Sequence, residues 1–275
     1  ASNLCLAESD KSIAFSTNNS AIVNGIGFIE IETIPFNIIA QSSDYSGFEI
    51  SFPGANDGYI NITVDGGLPP YSYYWSNGET TEDITGLSQG AYTVWVTDSN
   101  NEQLIEELVL ISPTQQVINL IQGWSLISTN INPLSSSLTS VFSDVVTNIT
   151  VVKDEYGNFY WPQYNVNFIG NMIPGEAYMV NMIASDQLII TGSQIQPETV
   201  VVECPVGWSF IGYIRNTPAS VVQMMSPISS DIELIKNSVG EIYWPQLSFD
   251  NIGNMNPDEG YQIKMIQAVT DFQFC

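Results

Sequence analysis

The side chains of this protein that could carry chemistry are nearly all carboxylates. Of 275 residues, 29 are Asp or Glu, five are Lys or Arg, and none is His. Two acids at the right separation suffice for glycoside hydrolysis, and Glu155, Glu176 and Glu259 are the candidates. Their spacing does not pair them. Glu176 and Glu259 also fall at matching positions of an internal repeat, where a role in the fold is preferred. Without His there is no Ser-His-Asp or Cys-His relay and no imidazole ligand. The chain is therefore read as non-catalytic.

Metal binding and sugar binding are the other chemistries open to these residues. Carboxylates and amide oxygens favour Ca²⁺ over softer cations. Asp57, Asp65 and Asp98 sit at turns where loop oxygens could gather, but no Asp-x-Asp-x-Asp-Gly loop is present. Turn formation is the preferred role for these Asp residues, and no cofactor is expected. Zinc is excluded because no Cys-x-x-Cys or Cys/His cluster exists. Trp161 and Trp244, in Tyr-Trp-Pro-Gln segments, could face glycans. Packing is preferred for them, as for Trp124 and Trp208, because large aromatics are usually buried.

The charge balance narrows the class. A net charge of −24 repels nucleic acid and anionic lipid surfaces. The composition is 44% hydrophobic and 12% charged, which is enough apolar material for packed cores. No apolar run approaches the roughly 18 residues of a membrane helix. The chain opens at Ala1 without Met and is read as a mature or internal piece of a longer polypeptide.

Residues 1–44 form the least readable stretch, possessing one alternating segment, Phe28 to Glu32, with Ile29 and Ile31 on one face. Residues 45–113 read as short strands and turns. Ile60, Ile62 and Val64 alternate with polar residues, and Tyr71, Tyr73 and Trp75 share one face. Tyr92, Val94 and Val96 oppose Thr93, Trp95 and Thr97. This spacing predicts a β-sandwich, with Leu87 to Tyr92 as a tyrosine corner and the aromatics as core and cross-strand packing in preference to a ligand platform.

Two blocks carry a resemblance. Gly66-Gly67-Leu68-Pro69-Pro70-Tyr71-Ser72-Tyr73-Tyr74-Trp75-Ser76-Asn77-Gly78 and Leu87-Ser88-Gln89-Gly90-Ala91-Tyr92-Thr93-Val94-Trp95-Val96-Thr97-Asp98 resemble the SprB-type repeat. That family occurs in large surface proteins of Bacteroidetes-type bacteria, gliding-motility adhesins among them. The resemblance implies an Ig-like sandwich, export by the type IX route and a role in attachment or gliding. The Gly-Cys that often follows Thr-Asp in the family is Ser99-Asn100-Asn101 here.

The remainder repeats itself. Gly123-Trp124-Ser125 recurs as Gly207-Trp208-Ser209, and Tyr160-Trp161-Pro162-Gln163 as Tyr243-Trp244-Pro245-Gln246. The offset changes from 84 to 83, placing one deletion between the Trp and a shared Lys, Lys153 and Lys236. Two tandem modules are expected, 114–197 and 198–275, each β-rich with one short helix near Leu138 to Phe142. They resemble Gly-Trp modules of bacterial surface proteins.

Cys204 and Cys275 bracket the second module, and the first has no such pair. A disulfide clasp is favoured over buried thiols in an oxidising compartment. Cys5 is then an unpaired thiol or an intermolecular partner. The expectation is a mostly β, secreted, non-catalytic segment of a cell-surface adhesin or filament. Its partners would be neighbouring modules of the same long chain, other copies of itself, or surface polysaccharide. A self-assembling fibre subunit and a carbohydrate-binding module are the alternatives.

Overall fold

The computed structural model describes residues 19–24, 28–33 and 35–274. The chain is mostly β, as its alternating β-branched and aromatic residues predict. It divides into two compact units, Ala1–Ser112 and Pro113–Cys275. No helix among the described residues is long and apolar enough to cross a membrane.

In the first unit, β1 (Asn19–Asn24) and β2 (Phe28–Thr33) pair as an antiparallel hairpin. Six further strands make the sandwich: β3 (Asn37–Ser42), β4 (Gly58–Asp65), β5 (Ser72–Trp75), β6 (Ile84–Leu87), β7 (Gly90–Thr97) and β8 (Gln103–Leu110). They form two three-stranded sheets, ordered β3-β4-β6 and β5-β7-β8. Strand β3 lies ahead of residue 45, where the sandwich was expected to begin. It joins because Ile38 and Ala40 pack on the core while their neighbours face water.

Ile60, Ile62, Trp75, Ile84, Val94 and Val96 fill the space between the sheets. Trp75 is fully buried and satisfies its indole N–H on the Thr81 carbonyl at 2.9 Å. The Tyr92 hydroxyl donates to the Ser88 carbonyl at 3.0 Å, the back-bond of a tyrosine corner at the residues expected.

The second unit contains the repeat. Its first half comprises β9 (Thr114–Leu120), β10 (Gly123–Ile127), β11 (Ile131–Pro133), helix α1 (Leu138–Val141), β12 (Ile149–Lys153), β13 (Phe159–Trp161), β14 (Val166–Asn167), β15 (Tyr178–Met182) and β16 (Asp186–Gln194). Its second half comprises β17 (Val202–Cys204), β18 (Gly207–Gly212), β19 (Ala219–Ser220), α2 (Val221–Met224), β20 (Ile232–Lys236), β21 (Ile242–Trp244), β22 (Phe249–Asp250), β23 (Asn254–Met255), β24 (Gly260–Met265) and β25 (Val269–Phe272).

Each half builds a five-stranded sheet in the same order, β10-β15-β12-β13-β14 and β18-β24-β20-β21-β22. The likeness reaches irregular detail. A bulge between Ile149 and Val151 recurs between Ile232 and Leu234. Asn165 and Ser248 both take the left-handed conformation, at φ 51° and 50°. The two strands after Ala177 do not pair with each other. β15 inserts between β10 and β12, whereas β16 pairs with β9 and β11.

Trp124 and Trp208 are not core residues: they are 43% and 53% exposed. Ser125 and Ile127, like Ser209 and Ile211, take the inward positions, so strand alternation turns the Trp outward. The buried rings are Phe142, Tyr160 and Tyr178 in one half, and Tyr213, Tyr243, Tyr261, Phe272 and Phe274 in the other.

The halves meet across a pseudo-twofold axis. The Gly212 N–H donates to the Gly175 carbonyl at 2.8 Å, and the Ser128 N–H to the Asp258 carbonyl at 3.3 Å. Ser128 matches Gly212 in the repeat, and Gly175 matches Asp258. Such reciprocal contacts define an isologous interface. At the axis, matching positions meet each other. A Cβ on Gly212 would stand 2.8 Å from the Ser128 Cβ, and a Cβ on Gly260 would collide with that of Ala177.

Candidate functional site

The sheet β5-β7-β8 has an outer face away from the sandwich core. Register places Tyr74 opposite Trp95, and Trp95 opposite Ile105, in one row across three strands. The next row on the same face is Ser72, Thr97 and Gln103. Residues two apart along a strand share a face, so the rows are adjacent. Tyr74 is 56% exposed and Ile105 59%. The Tyr74 and Trp95 rings lie 5.7 Å apart at 41°.

This face carries a groove of about 380 Å³ lined by Ser72, Tyr73, Tyr74, Trp95, Thr97 and Gln103. The Gln103 amide donates to the Thr97 hydroxyl at 3.3 Å, which holds the polar row in place. The Tyr73 phenol is pushed up to about 12, by burial first and then by Glu82, so it stays protonated. An aromatic strip beside hydroxyl and amide groups suits a ligand with both apolar and hydroxylated faces. Of the core and cross-strand packing expected for these aromatics, Trp75 takes the core and Tyr74 the cross-strand pairing with Trp95, yet Tyr74 remains exposed, because periodicity separates two faces without saying which is covered.

The candidates named from sequence are dispersed. Asp57 accepts the Ser51 N–H at 3.3 Å and also the Ser51 hydroxyl. Asp98 is buried and accepts three backbone N–H groups, from Leu68, Asn100 and Glu102, at 2.8–2.9 Å. Asp65 ends β4 as an exposed residue. Among the described residues, no three His, Cys, Asp or Glu side chains converge where they could hold a metal ion.

Glu176 and Glu259 play one part twice. Each accepts the hydroxyl of the Tyr two residues on, Tyr178 at 2.8 Å and Tyr261 at 2.5 Å. Each hydroxyl in turn accepts a backbone N–H at 2.9 Å, from Ile173 and Asn256. Burial raises the Glu176 carboxyl above its ordinary range, against the lowering by Tyr178. Glu155 accepts the Phe210 N–H at 2.9 Å across the pseudo-twofold interface.

Trp161 and Trp244 are 39% and 38% exposed. Trp161 packs edge-on against Tyr164, with centroids 4.7 Å apart. Cys204 is fully buried, and burial, with a smaller contribution from Glu155, pushes its thiol up to about 12. Cys5 and Cys275 lie outside the described residues.

No curated protein and no solved structure matches the chain. Residues 54–80, spanning β4, β5 and the turn between them, match the family model of the SprB repeat.

Proposed function

We propose that the chain is a non-catalytic segment of a large secreted cell-surface adhesin serving attachment or gliding motility, and that the Tyr74–Trp95 face is its contact surface for polysaccharide. The match of residues 54–80 to the SprB repeat carries the reading. The aromatic row lies on the domain that holds this match. Aromatic faces take the C–H side of a sugar ring, and Ser72, Thr97 and Gln103 offer partners for its hydroxyls.

The repeated halves of the second unit fit a Gly-Trp surface module present in two copies, paired about the pseudo-twofold axis into one compact unit. An extracellular setting also favours the Cys204–Cys275 clasp. The β17–β25 register sets Cys204 opposite Val269 and Val202 opposite Phe272, so the clasp requires the chain after Phe272 to turn back toward Cys204. Beads coated with the chain should adhere to a polysaccharide-coated surface under flow. Beads carrying Tyr74→Ala with Trp95→Ala should detach at markedly lower shear. Equal adhesion of the two would refute the contact surface.

A further inference from the structure

We infer that the pocket between Trp124 and Lys236 is a carboxylate site, shaped to take a Glu side chain from another polypeptide. The pocket lies on the pseudo-twofold interface, encloses about 180 Å³, and is lined by Trp124, Leu126, Met179, Lys236, Ser238 and Gln262.

The molecule holds a filled counterpart of this pocket. Under the repeat, Leu126 matches Phe210 and Ser238 matches Glu155. On the filled side, the hairpin turn between β12 and β13 sends the Glu155 carboxylate to the Phe210 N–H at 2.9 Å. Phe210 stands opposite Gln262 in the β18–β24 ladder, and its N–H points away from β24 to reach Glu155. Leu126 stands opposite Met179 at the same register position of the β10–β15 ladder. Alternation of an antiparallel ladder therefore turns the Leu126 N–H away from β15 as well. The turn facing it carries Ser238, too short to supply a carboxylate.

Charge also favours a carboxylate here. The chain has five cationic side chains against 29 acids. Lys236 lines the pocket, and the Lys153 ammonium lies 5.4 Å from the Trp124 ring centroid. Among the described residues the ion pair formed is Lys264–Glu233, and neither Lys153 nor Lys236 takes part in one. Lys236, without a carboxylate partner among the described residues, lines the pocket beside an outward N–H, and the two provide the charge and the donor that a carboxylate takes, while Lys153 lies against the Trp124 ring. The occupant of the filled side is a Glu on a β-turn, so the matching ligand is a Glu presented by another chain.

The test is titration of the full ¹⁵N-labelled chain with N-acetyl-glutamate N-methylamide, its glutamine analogue, and galacturonate. The Leu126 amide and Trp124 indole signals should move saturably with the glutamate probe alone. Lys236→Gln should weaken binding by about tenfold, the order of one charge-assisted hydrogen bond. Ser238→Glu should abolish the response by closing the pocket from within, as Glu155 does on the other side. Equal shifts with the glutamine analogue, a response unchanged in both variants, or binding of galacturonate in place of the glutamate probe would overturn the assignment.

Discussion

Ala177 and Gly260 are repeat equivalents that touch each other at the pseudo-twofold axis. A Cβ on Gly260 would collide with the Cβ of Ala177 and approach Leu126 Cγ to 3.0 Å. One member of the pair must therefore lack a Cβ, and the two copies of the repeat differ there for that reason. A Cβ on Gly212 would meet the Glu176 carbonyl oxygen before the Ser128 Cβ, so backbone as well as side chain holds that position to Gly. The difference looks like drift in the sequence but is required by the interface.

Gly260→Ala should destabilise the second unit by about 1–3 kcal/mol, as overpacking of a fitted contact does. Ala177→Gly should cost less, about 0.5–1 kcal/mol of backbone entropy. Combined, the two substitutions should be less destabilising than their sum, because the clash is relieved. Urea unfolding of the four proteins gives the coupling directly. Strict additivity would remove the axis contact from the account.

Glu155 should matter to the same interface. Glu155→Ala leaves the Phe210 N–H without its acceptor and should cost about 1–3 kcal/mol by thermal or urea unfolding. Ser238→Ala, at the matching position, should cost almost nothing. Equal losses would show that the two sides of the interface are not different.

The raised carboxyl of Glu176 sets a pH dependence. Burial makes the folded state hold this proton at higher pH than the unfolded chain does. The folded state therefore binds more protons between the ordinary and the raised value, and this group's contribution falls as pH rises through that window. Glu176→Gln should compare more favourably with the wild type at pH 7 than below the ordinary carboxylate range. Stability curves against pH for both proteins check this, and parallel curves would contradict it.

A peptide map without reductant should join Cys204 to Cys275 in protein made in an oxidising compartment. The bridge would stabilise by roughly 4 kcal/mol in the chain-entropy model. Separate Cys204 and Cys275 peptides, both alkylated after unfolding, would exclude it.

Much of this architecture is legible in the residues themselves. The alternation of Ile60 and Ile62, or Val94 and Val96, marks strands and their buried side. The 84-then-83 offset marks the repeated halves, and the tyrosine corner falls at Tyr92 as read. What stayed hidden depends on contacts distant in sequence. Alternation finds two faces on β5 and β7 but not that the Tyr74 face stays open. The expectation that Trp124 and Trp208 are core followed residue type, which strand direction overrode. The contrast between Glu155 and Ser238 has meaning only once Phe210 and Leu126 are seen as equivalents across an axis.

The adhesive reading rests on the outer face of the sandwich, and a glycan array probed with the labelled chain tests it most directly. Wild type should bind a defined set of polysaccharides, and Trp95→Ala should weaken that binding at least about tenfold, as loss of a central aromatic anchor does. Trp161→Ala should leave it unchanged. No bound glycan, or binding that Trp95→Ala does not alter, would contradict the account.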